Sequence, residues 1–378
     1  MRCFSIIVRI MTIIPFKHTS TQFSALLSSR IGKGKQQALA IYRSLFRTGS
    51  ISSSLSEFAN APNLYQQMVG ILDTSTYPIL TKVNDEKTVR FLIQTADGHK
   101  IETVLIPMNH GNTVCVSSQI GCKMGCSFCR TAKLGLIRNL TAAEIVQQVF
   151  ITKFVLKAEI HNIVFMGMGE PLDNYDAVLQ ATNVLSDPNG LAIGARHITI
   201  STSGIVPAIV RIANEPSFNA NLTVSLNAPN ETLRSKLMPS RPESLKELYQ
   251  SMKTYCTKRK KKVYVSYILI EGVNDSVSHA DELCNFLKGL ETRINLIPFN
   301  THDKSRFSPS DTKQIFAFMQ QIRSHNIPVL LRGEKGSSIQ AACGQLAAGQ
   351  LAAEQLTAEQ LTAKQLAACT PSDHQFPI

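Results

Sequence analysis

Residues 115–129 read CVSSQIGCKMGCSFC and set Cys122, Cys126 and Cys129 in the spacing C-x-x-x-C-x-x-C, with Phe128 before the last of them. Three thiolates this close can hold three irons of a four-iron, four-sulfur cluster. The fourth iron then lacks a protein ligand and can take a small molecule. A lone C-x-x-C would say little, because redox motifs and zinc sites share it. The competing reading is a zinc site completed by a distant Cys or His. Against it, no second C-x-x-C and no closely spaced His pair follows in the chain.

Outward from this loop, from about residue 113, the chain repeats strand then helix. Strand candidates are 163–166, 197–201, 222–226, 263–270 and 294–297, each rich in β-branched or apolar residues. Helical patterns lie between them in TAAEIVQQVFITKFV, YDAVLQATNVL, ESLKELYQSMKTYC and SHADELCNFLKGL. With the strand entering the cysteine loop this makes about six βα units. The expected fold class is α/β, a partial (βα)6 barrel with right-handed crossovers and its site at the C-terminal strand ends.

The remainder divides around that barrel, which is expected over 113–346. Residues 1–30 read as a poorly ordered extension. The opening MRCFSIIVRIMTIIPF faintly resembles a secretory signal, but Arg9 interrupts its apolar run. Residues 31–84 read as a small helical module, because Ala38, Ile41, Tyr42, Leu45 and Phe46 fall on one helical face. Residues 85–112 read as a β-hairpin extension, TVRFLIQT and HKIETVLIP about the turn Ala96-Asp97-Gly98, with Glu102 inside the second strand. Residues 344–368 repeat GQLAA, GQLAA, EQLTA, EQLTA and KQLAA. This five-residue period makes no continuous helical stripe, so 347–378 reads as a low-complexity tail.

Nine cysteines in 378 residues are too few and odd in number for a secreted disulfide framework, which suits a reducing compartment and a cytoplasmic protein. The net charge of +12 favours an acidic partner, nucleic acid first. The densest basic run, Lys258 to Lys262, is either an RNA-facing stripe or a solvated loop. No run of eighteen apolar residues exists, so no membrane span is expected.

The cysteine motif resembles the radical S-adenosylmethionine signature. Further runs extend the likeness in order: ETVLIP, CVSSQIGCKMGCSFC, RNLTAAEI, FMGMGEPLDN, ITISTSGIVP, VSLNAPN, GVNDS, INLIPFN and AACGQL, over roughly 85–346. On these blocks the chain resembles the radical S-adenosylmethionine RNA adenine methyltransferases of the RlmN/Cfr family.

That resemblance implies one 4Fe–4S cluster on Cys122, Cys126 and Cys129, with S-adenosylmethionine as cosubstrate at the open iron. It implies that Cys343 is methylated and then loses a hydrogen atom to a 5′-deoxyadenosyl radical. The resulting methylene radical adds to adenine, and Glu102 accepts the proton of the adduct. Cys115 acts as the resolving thiol and forms a disulfide bond with Cys343. Cosubstrate contacts are implied at Gly169 and Glu170 in GMGEP, and at Ser201, Ser225, Leu226, Asn227 and Asn300 at further strand ends. The implied partners are ribosomal RNA, with transfer RNA left open, and an electron donor such as flavodoxin or ferredoxin. A monomer active in rRNA processing follows from the same likeness.

Three places depart from the family pattern. Asn227 stands where the family usually has His, RTAKLG replaces a TGKQG-type run, and RGEKGSSIQ lacks an acidic pair. These departures bear on which carbon is methylated: the resemblance implies carbon 2 of adenine, with carbon 8 of the resistance-type Cfr branch as the alternative. A non-catalytic RNA-binding relative is the reading from a different class.

Overall fold

A computed structural model describes residues 12–85, 88–240, 243–302, 305–333, 339, 341 and 344–346. The strands are β1 (Ile79–Asp85), β2 (Thr88–Gln94), β3 (Lys100–Ile106), β4 (Thr113–Cys115), β5 (Gln119–Gly121) and β6 (Leu136–Asn139). Then come β7 (Asn162–Phe165), β8 (Ile198–Thr202), β9 (Asn221–Ser225), β10 (Val263–Leu269), β11 (Thr292–Pro298) and β12 (Val329–Leu331).

One sheet holds ten of these strands in the order β1-β2-β3-β4-β7-β8-β9-β10-β11-β12. From β4 onward every neighbouring pair is parallel. Helices fill the crossovers: α4 (Ala142–Phe150), α5 (Tyr175–Ser186), α6 (Val206–Asn214), α7 (Glu231–Leu237), α8 (Leu245–Arg259), α9 (Val277–Leu287) and α10 (Thr312–Ser324). This is the expected α/β architecture of six βα units, with the short β12 added at the edge.

Strand alternation divides the sheet into two chemically different faces. Ile198, Ile200, Leu222, Val224, Val265, Tyr267, Ile294 and Leu296 enter the main hydrophobic core. The residues between them include Ser201, Ser225, Ser266, Ile268 and Ile297, and these line a cleft at the C-terminal strand ends. A buried parallel strand is usually apolar on both faces. Hydroxyls on the inner face therefore mark that face as a ligand surface.

The hairpin is not a separate appendage. β1, β2 and β3 pair antiparallel in sequence, and β3 joins the barrel through β4. β1 was not anticipated, since the sequence placed it in the helical module.

That module contains α1 (Ser20–Ile31), α2 (Lys35–Thr48) and α3 (Pro62–Val69). The apolar face read for α2 is buried throughout. Residues 20–30, read as extension, belong instead to a capped helix that ends at Ile31. Thr19 and Gln22 make a capping box, and Phe23 and Leu27, four apart, are fully buried. Burying side chains of this size stabilises by about 1.5–3 kcal/mol each, enough to dock a short helix. Residues 1–11 and the repeat tail from 347 lie outside the described residues. Among the described residues no helix is long and apolar enough to cross a membrane.

Candidate active site

The cysteine motif is the connection of a small hairpin, β5 to β6. Cys122 N donates to the Gly135 carbonyl at 2.8 Å, closing the loop at its base. Gly121 has φ +76, and a Cβ there would stand 1.8 Å from the Gly135 oxygen, so only glycine permits this closure. Phe128 anchors the far side among Ala228, Leu237, Met238, Ile268 and Phe299. Ser127 N donates to Leu237 O at 2.9 Å, and Arg130 N to Gly344 O at 2.8 Å. The loop is thereby pinned both to the barrel and to the C-terminal segment.

Cys122, Cys126 and Cys129 all line the cleft, which opens to solvent. Among the described residues no three Cys, His, Asp or Glu side chains converge as a single-ion site. Three cysteines lining one cleft with polar strand ends are a donor set compatible with an iron–sulfur cluster. Burial pushes the Cys129 thiol up, opposed by N–H groups of Ala132 and Thr131 and by the Thr131 hydroxyl. A bound metal would supply the positive charge that makes such a thiol a thiolate.

The GMGEP loop forms the wall beyond β7. Gly169 has φ +101, and a Cβ on it would meet the Gln119 Cβ at 2.6 Å. Glu170 is buried, and its carboxylate accepts four hydrogen bonds. Oε1 takes them from Leu172 N at 3.0 Å and Thr202 Oγ1 at 2.7 Å. Oε2 takes them from Ser203 N at 2.8 Å and Ser203 Oγ at 2.5 Å. A carboxylate so satisfied is held in one orientation beside the cleft.

Gly169, Glu170, Ser201, Ser225 and Asn227 line the same cleft as the cysteines. Ser201 and Ser225 oxygens lie 3.4 Å apart at adjacent strand ends. Asn227 has φ +57, a conformation Asn tolerates better than most residues, and its Oδ1 accepts from Ile268 N at 3.1 Å. Leu226 and Asn300 are not among the lining residues. Leu226 follows Ser225 by one position, so alternation turns it into the main core.

A second group of residues adjoins the cleft. Val104 of β3 pairs with Cys115 of β4, and Glu102 pairs with Leu92. Leu92, Val104, Cys115 and Met168 pack with Ala341 and Leu346. Ala341 and Gly344 bracket Cys343 in sequence; Cys343 itself lies outside the described residues. The expected disulfide bond is corrected here. Among the described residues no two cysteines stand at disulfide distance, and Cys115 is a buried thiol packed as a small hydrophobe.

Several residues of the site were missed in the sequence. Gln119 accepts from Glu170 N at 2.8 Å and donates to Asn139 at 2.7 Å and Asp173 at 2.9 Å, joining the cysteine hairpin to the GMGEP loop. Ser117 Oγ donates to the Glu102 carbonyl at 2.7 Å and accepts from Met168 N at 2.9 Å. Both lie inside the CVSSQIGC run, Ser117 between β4 and β5 and Gln119 opening β5, where the polar cluster before the cysteines was the available signal.

Comparison with known proteins agrees with this geometry. The Radical SAM superfamily model matches residues 116–287. The Protochlamydia amoebophila protein named probable dual-specificity RNA methyltransferase RlmN 1 is 47% identical, over 87% of this chain and 92% of that protein. The chain belongs to the RlmN family. A second RlmN relative, from Geobacillus thermodenitrificans, is 40% identical over 83% of this chain and 87% of its own length. The crystal structure of a radical SAM methyltransferase from Sphaerobacter thermophilus superposes with a TM-score of 0.81 at 38% identity. The match covers 89% of this chain and 99% of that one, so the shared fold is not confined to residues 116–287.

Proposed function

We propose that this chain is an S-adenosylmethionine-dependent methyltransferase that methylates a ring carbon of adenine, carbon 2 first, in ribosomal RNA. One observation carries the reading: a single cleft joins the three motif cysteines to the GMGEP loop and the polar strand ends, with Glu102 and Cys115 on the adjoining sheet face. Ring carbons 2 and 8 of adenine are electron-poor and poor nucleophiles, so a radical route is needed in place of direct displacement.

When bound, a 4Fe–4S cluster on Cys122, Cys126 and Cys129 supplies the one-electron reduction from which such radical chemistry starts. Gly169 brings backbone to the methionyl end of the cosubstrate, and Glu170 offsets the charge of its ammonium. Ser201, Ser225 and Asn227 serve its polar groups, with Leu226 and Asn300 shaping the same strand ends. Cys343 carries the transferred carbon as S-methylcysteine and is joined through it to the adenine. Glu102 then accepts the ring-carbon proton, and Cys115 is the thiol that acts on the adduct to release RNA.

The target base leaves its stack to reach the barrel end. A flavodoxin- or ferredoxin-type donor supplies electrons, in the cytoplasm where clusters and RNA both reside. A single chain provides every residue named, so the reading needs no second subunit.

Nucleoside mass spectrometry on ribosomal and transfer RNA, from cells with and without the gene, tests this. Gain of 2-methyladenosine is expected. Gain of 8-methyladenosine would establish the alternative, to which Asn227 on the cleft wall gives a specific motive. Unchanged levels of both would overturn the methyltransferase reading and leave RNA binding alone.

A further inference from the structure

Arg90 sits in the middle of β2 with 1% of its surface exposed, and Glu102, diagonally across on β3 where its direct partner is Leu92, has none. Arg90 Nη2 donates to Glu102 Oε1 at 2.6 Å, and Nη1 donates to the Ile339 carbonyl at 2.8 Å. Two charges taken out of water are costly, and well-packed apolar residues often serve stability as well. The neighbours on this face, Leu92 and Val104, are apolar. The ion pair is thus not what a three-stranded hairpin needs in order to fold.

Its two acceptors come from distant parts of the chain. Glu102 belongs to the hairpin, whereas Ile339 stands four residues before Cys343. A planar guanidinium fork can serve both at once, which a lysine ammonium on its flexible stem does less well. A buried carboxylate without a counter-charge gives up its charge, and the neutral acid cannot take a proton.

We infer that Arg90 is a positioning residue for proton removal: it holds Glu102 as an oriented carboxylate and ties it to the segment that carries Cys343. This rests on the proposed role of Glu102 as base. In that step the ring-carbon proton passes to a Glu102 oxygen, and the electron pair of the broken C–H bond stays on the ring. No oxidant or reductant enters.

The test uses reconstituted full-length holoenzyme with an unmodified large-subunit ribosomal RNA transcript. Arg90→Met, Arg90→Lys and Glu102→Gln are compared for methyladenosine formed, 5′-deoxyadenosine formed, and protein covalently joined to RNA on denaturing gels. Arg90→Met is expected to form about 100-fold less methyladenosine, the scale of a lost general base. It still forms 5′-deoxyadenosine and accumulates the RNA–protein adduct. Arg90→Lys keeps the charge but not the fork, so it gives partial rescue and decides the matter should Arg90→Met fail to fold. Turnover within about two-fold of wild type, or an equal fall in product, adduct and 5′-deoxyadenosine, would overturn the role. If Glu102→Gln forms product normally, the base assignment fails instead, whatever the arginine variants do.

Discussion

Glu102 and Cys115 stand on one face of the sheet, Glu102 two residues along β3 from Val104, whose cross-strand partner is Cys115. Diagonal neighbours of this kind lie about 7–8 Å apart, close enough to act on one bound group. Replacing Cys115 by Ala should leave the fold in place, since the thiol packs as a small apolar residue. It should stall the reaction after RNA has become attached. Denaturing electrophoresis of the variant with its RNA should show a protease-sensitive RNA band of reduced mobility. Methyladenosine at the wild-type rate, with no such band, would remove Cys115 from the chemistry.

Cys126 and Cys129 are only partly buried, Cys122 is 8% exposed, and all three line the cleft. Replacing Cys126 by Ser should reduce iron bound after anaerobic reconstitution and abolish 5′-deoxyadenosine formation. The global fold should persist, because the loop is held by Phe128 and by backbone bonds rather than by the thiols. Iron content and visible absorbance are the measurements. Full iron with active cosubstrate cleavage in this variant would refute the ligand assignment.

Gly169→Ala tests the GMGEP wall. The new methyl group meets the Gln119 backbone nitrogen at 2.7 Å, in a positive-φ conformation that alanine avoids. Strain of about 1–3 kcal/mol is expected. Because Gln119 also holds Glu170 N, the displacement should reach the cosubstrate site. Calorimetric titration with S-adenosylmethionine should show weakened binding together with a lower melting temperature. Wild-type affinity would separate this loop from cosubstrate recognition.

How much of this was legible beforehand follows from the range of each signal. Cysteine spacing and strand alternation are local, and they placed the cluster loop, the parallel strands and the polar strand ends. Arg90 looked like an ordinary charge in TVRFLIQT, because its partners Glu102 and Ile339 become neighbours only through the sheet register and the return of the C-terminal segment. Asn227, left-handed in its backbone, accepts from Ile268 N, forty-one positions away. Leu226 was grouped with Ser225 by adjacency, although a period of two already assigns them to opposite faces. Helix α1 was overlooked because Phe23, Leu26 and Leu27 lie among Ser, Thr and Gln, and Phe23 is buried through its packing on Tyr42 of α2, a partner set by the fold of the module.

The basic run gives a prediction opposite to the one its composition suggests. Lys258 and Arg259 end α8, and Val263 begins β10, so the run lies at the N-terminal strand ends, away from the cleft. Lys258 bonds Asn214, Arg259 bonds the carbonyls of Glu215 and Phe218, and Lys261 bonds the Asn219 carbonyl, all in the segment before β9. The run therefore fastens one crossover to the next. Replacing Lys260 and Lys262 together by Ala should change RNA affinity by no more than about two-fold at fixed salt. Replacing Lys123 and Lys133 in the cysteine loop should weaken it more. Filter binding over a salt series distinguishes the two sets, and the reverse ranking would place RNA on the other end of the barrel.

Asp97, at the tip of the β2–β3 turn, receives two hydrogen bonds from Arg138 of β6, at 2.7 and 2.8 Å. Arg138 also grips Glu144 at the start of α4, so the return arm of the cysteine loop is fastened to both hairpin and helix. The Arg138 guanidinium, and next the Thr95 hydroxyl, hold the Asp97 carboxyl well below the usual carboxylate range. A depressed folded-state value contributes stability that is present in full above the ordinary aspartate range. It fades as pH drops below that range and is gone once pH falls through the depressed value. Asp97 is 45% exposed, so solvent screening limits the contribution to about 0.5–1 kcal/mol. Asp97→Asn should therefore unfold in less urea than wild type at pH 7, and the gap should narrow by about pH 3. A gap that stays constant or widens on acidification would show that Asp97 acts through turn geometry and not through its charge.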